Sequence, residues 1–250
     1  MYFSFIEQIL LIFLIFAAGI SFAYEVWKRL RIVMKGSGSL PLDRIKDRLW
    51  RTFKEVFIHE RVIRDRFWPG LMHALVFWGF LVFGLVTVDH FTIGFGISLF
   101  PEAAKHVYTI VAISFAFMVM IGILSLAYRR FIIRPPTLGN LSMTSGLVTI
   151  FITLLMVSYI FGEITLPVNL EKINWWLHSL IILAFLVLIP RSKHLHLVFA
   201  PFNIFFRPFN TPDHKAVSID LDVEEEELDA MLSDLTRLTK NQALDIFSCV

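Results

Sequence analysis

Five stretches of the chain are long enough to cross a bilayer and carry little charge, which leaves few folds open. They lie near Phe5–Trp27, Phe67–Val88, Val107–Tyr128, Ser145–Phe161 and Ile173–Ile189. A spanning helix needs about 20 apolar residues. Hydrocarbon offers no partner for a backbone amide, so each run must satisfy its own hydrogen bonds as a helix. The sequence therefore predicts an all-α integral membrane protein with five transmembrane helices. Composition agrees: charged residues make up 18%, against about a quarter in soluble domains. The 26 phenylalanines and 6 tryptophans suit hydrocarbon and its edges, and soluble nucleic-acid binding is excluded.

Aromatic residues mark the interfaces: Trp27 before Lys28 and Arg29, Trp68 after Arg66, Tyr128 before Arg129 and Arg130, and Trp175–Trp176 opening the last span. Most of the basic residues fall in residues 28–66, in the turn holding Arg129, Arg130 and Arg134, and in residues 191–250; the other loops have Lys105 and Lys172. The positive-inside rule then puts the N-terminus outside and the C-terminus in the cytoplasm. No basic leader or small-residue cleavage site opens the chain, so the first run reads as a retained span.

Residues 1–205 form the expected membrane domain. Within it, residues 28–66 are a cytoplasmic linker in which Ile45, Leu49, Trp50, Phe53, Val56 and Phe57 recur every three to four positions. Such a helix lies in the headgroups or serves as a docking surface. Gly36–Ser39 reads as a flexible link. Residues 206–250 form a cytoplasmic tail with an acidic run at Glu224–Glu227 and a last amphipathic stretch, Leu235–Phe247.

An ionisable side chain inside a span is costly unless it is paired or ligating, so the histidines carry the functional signal. His59 and His214 fall outside the spans and read as surface residues, while His73, His90, His106, His178, His194 and His196 lie in or at the ends of spans. Span two runs outward and places His90 about 25 Å beyond His73; span five runs inward and places His196 about 27 Å below His178. Two pairs at matching depths follow, His73 with His196 and His90 with His178. An unbroken helix would hold His178 and His196 on one face, and Pro190 stands between them. Paired imidazoles at two levels suit two bis-histidine haems, whereas zinc wants three or four ligands on one centre. Gly70, Gly79 and Gly84 would leave room for a flat ring or serve helix packing. The single cysteine, Cys249, rules out an internal disulfide and covalent haem attachment through CxxCH.

The last span resembles that of the gamma subunit of respiratory nitrate reductase. The resemblance rests on Leu177–His178, Phe185–Pro190, Arg191–His196 and Ala200–Pro201. It extends over roughly residues 1–205 and implies that His178 and His196 are axial haem ligands and that His73 pairs with His196. The family's other second-span ligand falls about ten residues after the first, where this chain has Phe83. His90 lies on nearly the same face and takes over that role, with His106 and His194 as alternatives. The segment Leu244–Cys249 is similar to the lead-in of a ferredoxin-type cysteine run, as in haem b membrane domains fused to iron-sulfur modules related to heterodisulfide reductase. That implies an iron-sulfur cluster in a region beyond this chain.

The expected function is an oxidoreductase component of a prokaryotic plasma membrane. It passes electrons through two b-type haems between a cytoplasmic iron-sulfur or flavin partner and the quinone pool. Asp89, His90, Lys105, His106 and Tyr108 are the expected quinone contacts. The competing readings are a transporter with a histidine proton relay, which the lack of an internal repeat disfavours, and a haem-free anchor for a soluble oxidoreductase.

Overall fold

The computed structural model describes residues 3–139, 141–164, 167–209 and 238–248. The acidic run, His214 and Cys249 lie outside these residues. Helices α1 (Phe5–Lys35), α2 (Ile45–Thr52), α3 (Glu60–Asp65), α4 (Phe67–Ile93), α5 (Glu102–Tyr128), α6 (Met143–Gly162), α7 (Val168–Leu188), α8 (His196–Phe206) and α9 (Lys240–Ser248) follow one another. Among the described residues no strand forms, and one isolated bridge joins Ser37 to Thr239. Five helices are long and apolar enough to cross a membrane: α1, α4, α5 with the turn that follows it to Ile133, α6, and α7 with the turn that follows it to Arg191.

Local chemistry sets the helix ends. Pro101 precedes α5, and the Ser142 hydroxyl accepts the Ser145 amide at the start of α6. Pro190 lacks an amide hydrogen and cannot extend α7. The chain tightens into 3₁₀ turns at Ile189–Arg191 and Lys193–Leu195 before α8 begins at His196. No unbroken helix joins His178 to His196, and the break falls at the Pro190 that the sequence places between them.

The chain divides into two compact units: Met1–Ala18 with Val62–Phe185, and Gly19–Arg61 with Leu186–Val250. In the first, α4, α5 and α6 pack around Ala116, Val119 and Met156. A Cβ at Gly79 would collide with the Val119 side chain, and one at Gly122 would meet the Met72 carbonyl 2.8 Å away. Gly70 likewise lies against the backbone of Val62 and Ile63, whereas Gly84 has open space beside it. Two of the three span-two glycines thus serve close packing.

In the second unit, Val33 of α1, Leu195, Phe199 of α8, and Ala243, Leu244, Ile246 and Phe247 of α9 form one core. The Ser37 amide donates to the Leu238 carbonyl at 2.9 Å, and the Lys240 amide to the Ser37 carbonyl at 3.1 Å. A Cβ on Gly36 would lie 2.9 Å from the Lys240 nitrogen. Gly36 is therefore no slack linker; it is pinned where two backbones approach.

Helix α2 buries one of its charged side chains. Arg48 is 1% exposed, while Leu49, Trp50 and Phe53 are about half exposed. The Arg48 guanidinium donates to the carbonyls of Asp43, Phe205 and Arg207 and to the Asp43 carboxylate. It thereby satisfies the orphan acceptors at the end of α8. The outward apolar face suits the headgroup layer.

Candidate functional site

Within the first unit, α4 supplies His90, α6 supplies Ser158, and α7 supplies Trp175, His178 and Ser179. The His90 and His178 ring centroids are 5.0 Å apart with planes 66° from parallel. Trp175 stacks on the other face of the site, 4.7 Å from His90. His178, Ser158, Ser179 and Trp175 are all buried.

One nitrogen of each ring lies against a serine hydroxyl. The Ser158 hydroxyl has one hydrogen, directed at the carbonyls of Leu154 (2.7 Å) and Leu155 (3.1 Å), which can only accept. With that hydrogen on the Leu154 carbonyl, its oxygen is placed to accept from His178 Nδ1, 2.7 Å away. That leaves the Nε2 lone pair of His178 for a ligand. Ser179 donates to the Trp175 carbonyl at 2.9 Å, so its oxygen accepts from His90 Nε2 at 2.8 Å. His90 thus spends on a serine the nitrogen that His178 keeps open.

In the second unit, His196 opens α8, and its Nδ1 donates to the Lys193 carbonyl at 2.7 Å. Its Nε2 keeps a lone pair as well. Burial holds the His196 imidazole below its usual pKa and so favours the neutral form that ligates. The His194 ring lies 5.9 Å away, its Nδ1 3.3 Å from the Ser192 hydroxyl. His59 corrects the expectation of a surface residue: it is 4% exposed, in a left-handed backbone conformation. Burial lowers its pKa, and the nearby His196 adds to the effect.

His73 is half-buried on α4, next to the fully buried Ala74. His106 is exposed in the first turn of α5. Of the residues expected at a quinone, Asp89 accepts the Leu99 amide at 2.8 Å, and Tyr108 donates to the Val82 carbonyl at 2.5 Å. Both anchor local structure. Lys105 lies within electrostatic reach of Glu163, which is hydrogen-bonded to the Tyr159 hydroxyl. Asn174 donates to the Ser158 carbonyl at 2.9 Å.

Ser158 and Ser179 escaped the sequence reading, which gave Trp175 only a place among the interface aromatics. A serine in a span bonds to its own helix by default, so hydropathy gives it no signal. The structure adds that Trp175 Nε1 is buried with no hydrogen-bond partner among the described residues. No group of three or more His, Cys, Asp and Glu side chains gathers there either. The donor set suits a cofactor that takes one imidazole per face. His178 would present Nε2 to such a group, whereas His90 would have to exchange its serine for the metal.

Two curated proteins are similar to nearly the whole chain. One is the probable iron-sulfur-binding oxidoreductase FadF of Bacillus subtilis, 26% identical over 92% of this chain and 36% of its own length. The other is the EtfAB:quinone oxidoreductase of Syntrophomonas wolfei, 24% identical over 92% of this chain and 37% of its own. The chain spans little more than a third of either relative. No protein-family model matches it, and no solved structure does.

Proposed function

We propose that the chain is the membrane part of a quinone-linked oxidoreductase, carrying electrons through two b-type haems between a cytoplasmic iron-sulfur or flavoprotein partner and the quinone pool. The observation that carries this reading is the meeting of His90 and His178 inside apolar helices, each on its own serine. The names of the two relatives, an iron-sulfur-binding oxidoreductase and an EtfAB:quinone oxidoreductase, fit the same role. An electron-transfer flavoprotein is accordingly the partner we favour.

The ligands proposed are His178 with His90 for one haem and His196 with His73 for the other, the second pair resting on sequence spacing and the resemblance to the nitrate reductase gamma subunit. A haem bound between imidazoles supplies reversible one-electron chemistry. The chain's own share is to present Nε2 of His178 and His196, orient those rings through Ser158 and the Lys193 carbonyl, and exclude water with apolar walls. Trp175 Nε1 adds a buried donor suited to a carbonyl or carboxylate at the same level. We place the C-terminus in the cytoplasm of a prokaryotic cell.

A reduced-minus-oxidised spectrum with pyridine haemochrome stoichiometry tests this reading. Two haems per chain are expected, falling to one or none in His73→Ala and His178→Ala. A colourless protein removes the haem reading. Undiminished haem in His90→Ala transfers the second outer ligand to His106 or His194.

A further inference from the structure

Ser158 lies about one turn from the end of α6, 6% exposed, where a hydroxyl with no task beyond its own helix would gain little from being buried. Its oxygen has one: it lies 2.7 Å from His178 Nδ1 and, with the hydroxyl hydrogen on the Leu154 carbonyl, stands there as an acceptor. Ser179 cannot stand in, because it donates to the Trp175 carbonyl and accepts from His90.

We propose that Ser158 is a positioning residue that locks His178 in the Nδ1-protonated tautomer and thereby lowers the reduction potential of the haem His178 binds. The inference rests on the haem reading above. An imidazole donating from Nδ1 is more basic at Nε2, and a more electron-rich axial ligand stabilises the oxidised iron. His196 draws the same support from the Lys193 main chain, which no side-chain substitution removes. One haem is thus tunable by a serine, and the other is not.

Redox titration of the purified full chain, followed at the haem alpha bands, tests this in wild type, Ser158→Ala and Ser158→Thr. In Ser158→Ala the one-electron equilibrium of one haem shifts about fivefold toward reduction, roughly 40 mV at 59 mV per tenfold, and the other haem stays put. Threonine keeps the hydroxyl and restores the wild-type value. The Asn174 bond goes to the Ser158 main-chain carbonyl and survives both substitutions. Loss of one haem in the alanine variant, with retention in the threonine variant, also supports the assignment. Two unshifted potentials in Ser158→Ala overturn it, as does equal haem loss in both variants. A wild type without haem shows itself in the initial spectrum and counts against the proposed function instead.

Discussion

The Trp175 indole and the His90 imidazole lie face to face, centroids 4.7 Å apart and planes 16° from parallel. Phe3 packs on the same indole at 4.4 Å. Trp175→Ala would open a cavity costing about 3–5 kcal/mol, seen as a lower thermal midpoint in detergent. Trp175→Phe keeps the stack and removes an unpaired buried donor, so no comparable drop is expected. Equal losses in both variants would show that the N–H has a partner in the folded protein.

Arg48 links the segment before α2 to the end of α8. Losing its charged hydrogen bonds costs about 1.5–3 kcal/mol. Lysine cannot reproduce the guanidinium fork, so Arg48→Lys should lower the thermal midpoint nearly as far as Arg48→Ala. A midpoint equal to wild type in the lysine variant would refute this.

Acid should undo part of the same contact. The Arg48 guanidinium holds the Asp43 carboxyl below its usual pKa. A depressed folded pKa adds stability above the unfolded value, and that stability goes as pH falls through the folded one. Asp43→Asn should therefore flatten the acid limb of the stability profile while changing little at neutral pH. An unchanged acid limb would mean that the pair contributes nothing.

The outward face of α2 should report lipid. Spin labels at Trp50→Cys and Phe53→Cys, with Cys249→Ser, are expected to be more accessible to oxygen than to a water-soluble nickel chelate. A label at Asp47→Cys, among the polar positions of the helix, should show less of that bias. Preference for the chelate at residues 50 and 53 would favour a protein docking surface.

Gly36→Val should loosen α9. The new side chain meets the Lys240 backbone, which cannot move without breaking the Ser37 bridge. Faster proteolysis between residues 238 and 248 is the expected readout, and wild-type resistance would rule the contact out as essential.

The five spans were legible because their length and lack of charge are properties of the chain itself. The helix break at Pro190 was foreshadowed by the missing amide, but its form, two 3₁₀ turns with Leu195 buried in the second, was not. Gly36 looked loose because sequence shows the absent side chain and not the Lys240 backbone filling its place. His59 looked superficial because it falls in the amphipathic segment outside the spans, whereas the folded chain buries it at a left-handed backbone position. The histidines were found by their cost in lipid; their serine partners were not, because a hydroxyl that bonds its own helix is silent in hydropathy.

The core shared by Val33, Phe199 and Phe247 has a bearing on how the polypeptide comes apart. The C-terminal end of α1 is buttressed by side chains encoded more than 200 positions later. Melting of that far segment would strip cover from the last turns of α1, so amide exchange at residues near 33 and near 246 should speed up together under mild denaturant.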